Sequence, residues 1–426
     1  MTQSIKNNAK KPFGLWAAGV SLGVMLAMTW LAAGTGVSAA AEKAKGQEIS
    51  RVIAKEMTAA QKALQAGQWS EALKNLEAAE TKSPLTAFDK KTIYQFKGFA
   101  NVKLGNLKAA QVEFEKVLAT GAATPEEVAS ITRTLYGIAA STNQYQKTID
   151  YGKQMVDAGT ATPNDYAMIA QSYYQLKDCK NSSTWADKAI AATRKTGEAP
   201  KENLYLFKLQ CASDAGDTAT MDAVLGDLIK LTNKSSYWNT LLRIERQDER
   251  DDHNLLMIYR IMFITNAMTE GTDYIEMAQL LGDAGLPGEA YAVLNKAMSG
   301  GLIKDTQKER TTRLLNAFKT RADADQKGLA QEEAEANKSA SGEASVKLGE
   351  VYYGFGQYQK CVDVITAGLQ KGQIKHLDEA YVYLGLAEAQ LKNNADAKRT
   401  FASLKIVPNL SPRVIRLWEL YSATLG

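Results

Sequence analysis

Histidine and cysteine are scarce in this chain, with two histidines and three cysteines in 426 residues. His253 and His376 lie more than a hundred residues apart, so the sequence offers no metal site built from His and Cys at short spacing. A glycine-rich phosphate loop, a nucleophile elbow and a zincin motif are all missing. No catalytic constellation, cofactor or metal is therefore expected. Strict apolar–polar alternation is absent and Val-Ile-Thr runs are few, so β-structure is not signalled either. Charge of one sign is also lacking, with 51 Lys+Arg against 47 Asp+Glu. No basic stripe with interleaved aromatics appears, which argues against a nucleic-acid partner. Near-neutrality argues equally against strong attraction to anionic lipid.

What the chain does contain is one frame repeated eight times. A turn residue is followed at fixed offsets by an aromatic or flat residue, a small one, and two further apolar or small ones. The clearest copy is Gly67-Gln68-Trp69, then Ala72, Leu76, Ala79 and a closing Pro84. It returns at Gly105, Leu107, Ala110, Phe114 and Val117, and at Gly285, Pro287, Ala290, Leu294 and Ala297. Another copy runs through Gly356, Tyr358, Cys361, Ile365 and Gly368. Weaker copies turn at Asn143, Lys177, Gly216 and Lys392. Successive turns are 38, 38, 34, 39, 69, 71 and 36 residues apart. The two long spacings each hold about two units, and degenerate copies are placed at 237–263 and 311–336, giving about ten units.

Each unit reads as two short helices. Tyr166, Ile169, Ala170 and Tyr173 recur at helical spacing before one turn, and Leu348, Gly349 and Tyr352 before another. Small residues let helix axes approach, and a two-helix unit must bury its apolar face on its neighbours. On the first helices, Tyr94, Tyr166, Tyr173, Tyr205, Trp238, Tyr274, Tyr352 and Tyr381 are read as core. Ser411-Pro412 marks a helix start, and Val414, Leu417, Trp418 and Tyr421 form one apolar face, as a terminal capping helix would.

These features together resemble the tetratricopeptide repeat (TPR) family over residues 49–408. Tyr381-Leu384-Gly385 is the best copy of the family's first-helix pattern, and the second-helix half is kept better. The resemblance implies an all-α, right-handed superhelical solenoid of about ten TPR-like helix-turn-helix repeats with a C-terminal capping helix. The expected organisation is an N-terminal export segment over 1–41, the repeat array over 42–410 and the cap over 411–426.

The first eleven residues carry Lys6, Lys10 and Lys11 and no acid; an apolar stretch, 13–33, and a small-residue run, 34–41, follow. This is the order of a secretory signal peptide, although the apolar stretch is also close to a bilayer span, so an uncleaved inner-membrane anchor stays open. Either way the repeats are expected outside the cytoplasm, in the periplasm, with membrane contact only through that segment. Removing three lysines leaves 48 basic against 47 acidic residues, a net charge of about +1.

Cys179 opens one second helix and Cys211 lies near the end of the next first helix. A disulfide between them and two separate buried thiols remain alternatives. Cys361 takes a small-residue packing position. The cluster Glu249, Asp251, Asp252 and His253 reads as a solvated loop rather than a cation site, and 331–335 as an exposed helical face. Superposing the units as the family implies, Gln171, Tyr174, Gln175, Asn203, Gln210, Asn239, Arg243, Gln247 and Gln279 would face a concave groove. That amide-rich set suits hydrogen bonding to an extended backbone or a helix. Lys97 and Asn101 are one turn apart, but no neighbouring unit completes the carboxylate clamp of some relatives.

The run from Tyr166 to Trp238 is similar to periplasmic TPR proteins associated with TonB systems, notably through residues 171–178, 200–203 and 236–238. The function this implies is a non-catalytic scaffold or adaptor for protein partners in a cell-envelope assembly, such as TonB-dependent transport. The other reading is a chaperone-like module that binds extended peptides or glycans.

Overall fold

In a computed structural model, the structure describes residues 48–247 and 249–426. The export segment expected at 1–41 lies outside the described residues. Every regular element described is helical, and the chain divides into two compact units, residues 1–214 and 215–426.

The first unit holds α1 (Ala54–Gln65), α2 (Trp69–Glu80), α3 (Ala87–Lys103), α4 (Leu107–Ala119), α5 (Pro125–Ser141), α6 (Tyr145–Asp157), α7 (Pro163–Gln175) and α8 (Cys179–Lys195), and almost all of α9 (Glu202–Ala215). The starts are written in the sequence. Thr86 and Thr124 each accept a bond from the backbone three residues on, while Asp89 and Glu127 bond back to the cap. These reciprocal boxes satisfy amides that the first helical turn leaves unpaired. All eight expected turn positions, from Gly67 to Lys392, adopt positive φ between 56° and 79°. That left-handed step costs glycine little and explains why glycine fills five of them.

The repeated small–large–small residues form the spine. Ala72, Leu76 and Ala79 are fully buried, as are Ala290, Leu294 and Ala297 and, in a weaker copy, Ala397, Phe401 and Leu404. The close approach of helices has a specific cause at Gly98. A Cβ there would lie 2.8 Å from the ring of Phe114, so only glycine lets α3 lie over that ring. Gly385 lies over Phe401 in the same way. Side-chain bonds then tie each pair to the next. Lys91 reaches Glu127 at 2.8 Å, Gln144 reaches Gln111 at 2.6 Å and Tyr151 reaches Glu115 at 2.8 Å, across 33–36 residues. The result is the all-α solenoid expected from the repeats.

The second unit holds α10 (Thr218–Thr232), α11 (Ser235–Gln247), α12 (Asp252–Ile264), α13 (Gly271–Asp283), α14 (Pro287–Ser299), α15 (Asp305–Lys338), α16 (Glu343–Gly354), α17 (Tyr358–Lys371), α18 (Leu377–Gln390), α19 (Asn394–Ala402) and α20 (Pro412–Thr424). The degenerate unit at 237–263 is a helix pair, α11 and α12. The one placed at 311–336 is not: α15 is a single helix of 34 residues. It contains no proline, and its one glycine, Gly328, does not take a positive φ, so nothing turns the chain. Its buried positions, Thr311, Phe318, Ala322, Leu329 and Ala336, form one narrow stripe rather than two faces. Phe318 packs beneath Gly282 of α13, the place a second-helix aromatic takes in a regular pair.

The end of the second unit returns to its beginning. Ser411 caps α20 by accepting from the Val414 amide. Val414, Leu417 and Trp418 are fully buried, and Trp418 stacks on Phe401 of α19 at 5.2 Å. Besides α19, the helix packs against α10 and α12. Its arginines complete the closure. Arg416 bonds Asp222 of α10 and, at 2.6 Å, Glu245 of α11; Arg413 donates to the Glu245 carbonyl at 3.0 Å.

Candidate functional site

In the first unit, α7 and α9 present the amide-rich surface. Gln171, Tyr174 and Gln175 share one face of α7 at helical spacing, and all three are half-buried. Tyr174 stacks on Phe207 of α9, with ring centres 4.8 Å apart. Burial, together with Asp214 nearby, pushes the Tyr174 phenol pKa up, so the hydroxyl stays a donor. Among the described residues, the side-chain amides of Gln171 and Gln175 have no hydrogen-bond partner. Asn203 on α9 is half-buried, and its side-chain oxygen is enclosed without a partner. Gln210 is buried and gives its amide to Asp214 at 2.7 Å.

α9 is fastened to the preceding pair largely by side chains. Cys179 and Cys211 form a disulfide with Cα atoms 5.5 Å apart. Arg194 donates to the Tyr205 hydroxyl at 3.1 Å, Lys208 to Asp187 at 2.6 Å and Lys201 to Asn164 at 2.8 Å. The covalent bond and the stacked rings hold the α7 and α9 faces side by side. Cys361, in the second unit, is buried as a free thiol in its packing position.

The four groove candidates of the second unit are placed differently. Asn239 donates to the Ala267 carbonyl at 2.6 Å, and Arg243 pairs with Glu270 at 2.6 Å. Both serve the junction between α11 and the turn before α13. Gln247 is exposed, and Gln279 is half-buried. The nine residues therefore do not all stand as free groove donors. Lys97 and Asn101 are likewise internal. Lys97 is buried between Glu80 at 2.6 Å and Glu113 at 3.3 Å, and Asn101 donates to the Lys97 carbonyl.

The groups that periodicity did not reveal lie at the centre of the second unit. Arg260 of α12 is 1% exposed; it bonds the Tyr383 hydroxyl of α18 and lies 3.5 Å from Glu289 of α14. Tyr383 in turn donates to Glu289 at 2.6 Å. Burial works against the guanidinium charge, but Tyr383, Glu289, Glu379 and Glu350 outweigh it and the pKa rises. Lys347 lies between Glu350 at 3.2 Å and Glu379 at 2.5 Å, and burial pushes the Glu350 carboxyl well up. His253 is no part of a solvated loop: it bonds the buried Asp378, 125 residues away. That bond raises the imidazole pKa. Burial opposes ionisation of Asp378, but the bond from His253 outweighs it and lowers the carboxyl pKa. Asp251, by contrast, caps α12 by accepting from Asn254. No sequence period links residues 125 apart, so this network had no local signal beyond apolar helices carrying isolated charges.

Among the described residues, no group of three or more His, Cys, Asp and Glu is arranged to hold a metal ion. No described helix is long and apolar enough to cross a membrane.

No protein-family model matches this chain, and no curated protein matches it. Solved structures do. A tetratricopeptide repeat protein from Parabacteroides merdae is 13% identical, covering 63% of this chain and 99% of its own, with a TM-score of 0.30. The structure of Naa15/Naa10 bound to HypK-THB matches at 15% identity and TM-score 0.37; 84% of this chain covers 59% of that one. The P58(IPK) TPR domain matches at 11% identity over 88% of this chain and 98% of its own, with a TM-score of 0.24. The repeat architecture rests on the chain's own helix pairs, left-handed turns and buried spine.

Proposed function

We propose that the chain is a non-catalytic scaffold that binds a protein partner along the α7–α9 face of its first unit. The observation that carries this reading is the pair of half-buried, unpartnered amides, Gln171 and Gln175, beside the stacked Tyr174 and Phe207. Amides carry both donors and acceptors, so this face can pair with the backbone of an extended or helical segment without demanding one side chain. The stacked rings add a rigid apolar surface of the kind that anchors interfaces.

The same proposal places the protein in the periplasm, in a cell-envelope assembly such as a TonB-dependent transport system. The order of the N-terminal residues supports export. The Cys179–Cys211 disulfide suits an oxidising compartment. The similarity of 166–238 to TonB-associated repeat proteins supports the assembly.

The test is capture from envelope fractions with the tagged chain, beside the double variant Gln171→Ala, Gln175→Ala. The expected result is an inner-membrane energising component or a TonB-dependent receptor, held about tenfold less by the variant at unchanged helical content. Equal recovery by both proteins would remove the α7–α9 face from the proposal. Recovery of unfolded clients or glycans in place of a defined partner would favour a chaperone-like module.

A further inference from the structure

At 34 residues, α15 is twice as long as the next longest helix described. It packs against α14 and α16, and its buried stripe uses one side only. About a quarter-turn around the helix, positions 310, 314, 317, 321, 324, 328, 331 and 335 fall on a second line, at alternating spacings of four and three. Six of these residues are exposed, and Leu314 and Gly328 are half-buried. Arg321 reaches back to its own unit, to the Gly282 carbonyl at 3.4 Å.

Charge is divided along the helix. Residues 305–321 hold five basic and two acidic side chains, and residues 322–338 hold five acidic and two basic ones. Two halves of equal length therefore carry opposite and equal net charge. The exposed pairs Arg313–Glu309 and Lys319–Asp323 are local. Among the described residues, Arg310, Asp325, Glu332 and Glu335 form no ion pair. Glu335 takes only the Gln331 amide, at 2.9 Å. Burial raises the Glu332 carboxyl pKa, and Asp325 and Glu335 beside it add to the effect. Gly328 is a second oddity, since glycine weakens a helix interior. At Gly98 and Gly385 a neighbouring ring fills the space of the missing side chain; at Gly328 a Cβ would meet only the end of Glu332, at 3.4 Å. Packing within one copy gives this glycine no role.

We propose that α15 pairs with α15 of a second copy of this chain, antiparallel, about a two-fold axis between Ala322 and Asp323. Reversing the partner lays the basic half of each helix along the acidic half of the other. Arg310 then lies opposite the second copy's Glu335, Ala317 opposite its Gly328 and Arg321 opposite its Ala324, and the axis repeats each contact. Small residues in the central layers let the two backbones approach closely. The seam runs from Arg310 to Glu335, about 38 Å at the helical rise. A parallel pair would set like charges together, and a purely basic or purely acidic partner would answer only half of the helix. This face shares no residue with the α7–α9 face, so each proposal stands or falls alone.

The test is sedimentation equilibrium of the full chain from about 1 to about 200 µM. The expected result is a monomer–dimer equilibrium with Kd below about 100 µM. Arg310→Glu sets carboxylates together at both ends of the seam and should weaken the dimer about tenfold. Adding Glu335→Arg to that variant exchanges the charges and should restore affinity to within about threefold. Ala324 is exposed in a single copy, so Ala324→Lys should leave the melting temperature of the dilute chain unchanged. It places a lysine against the second copy's Arg321 and should abolish the dimer throughout the range. A monomer at every concentration would overturn the proposal. So would a dimer that survives Ala324→Lys, one indifferent to Arg310→Glu, or one that the charge exchange fails to restore.

Discussion

The two units are built from the same helix pair and end differently. In the first, the side-chain bonds that join described pairs connect residues at most 39 apart, from Arg194 with Tyr205 to Ser50 with Asp89. In the second, the same kind of ladder is overlaid by bonds across 94 to 194 residues, from Tyr383–Glu289 to Arg416–Asp222. Repeats that contact only their neighbours leave their inner face free. Repeats whose last helix returns to the first have spent that face on themselves. Free amides at Gln171 and Gln175 go with the first arrangement, and the paired Asn239 and Arg243 with the second.

Deleting 411–426 should separate the units most sharply. It uncovers buried faces of α10, α12 and α19 and leaves Asp222 and Glu245 without their arginines. Losing Trp418 alone would cost about 3–5 kcal/mol, so the whole helix should cost more. Hydrogen exchange should accelerate throughout 215–410 and stay unchanged before α9. Uniform acceleration in both units would break the distinction.

Reducing the Cys179–Cys211 bond should act on the other side of the comparison. A loop closed over 32 residues is worth about 4 kcal/mol. With α9 fastened largely by side chains, exchange should rise first in 202–214, and partner capture should fall with it. Retained protection of α9 in reductant would show that the stack and ion pairs suffice.

Gly98→Val tests the packing rule within the first unit. The new side chain meets the Phe114 ring and should cost about 2 kcal/mol, read as a lower denaturant midpoint at unchanged slope. A neutral result would mean that α3 and α4 have slack.

The smallest effect is a pH dependence confined to the second unit. The raised pKa of His253 makes its contribution complete below about 6.5 and lost as pH rises through the folded value. The lowered pKa of Asp378 makes its contribution present above about 3.8 and lost as pH falls through its folded value. The pair is therefore strongest between those limits. Raising pH from about 6 to about 9 should lower second-unit stability in denaturant melts. His253→Gln should flatten the profile, and an unchanged slope would remove the imidazole from the closure.

The repeat was legible because its signals are local. A left-handed turn needs glycine or a tolerant residue at one position, and Gly67, Asn143 and Lys392 each mark one. A helix face needs small and large residues at offsets of three and four, and Ala110, Phe114 and Val117 supply them. The single helix α15 departs from the expected helix pair because the spacing implies a turn there and its residues supply none. A groove set that follows from superposed ideal units is blind to the acceptor Asn239 finds 28 residues away.

Composition and spacing alone determined helices, their pairing and the buried spine, since each depends on residues a few positions apart. Which inner face stays available was decided only in three dimensions. His253 meets Asp378, and Arg416 meets Asp222, because curvature accumulated over many pairs returns one end of the second unit to the other. A charge reads the same in sequence whether it faces water or an opposite charge 194 residues away, and only the folded path distinguishes the two.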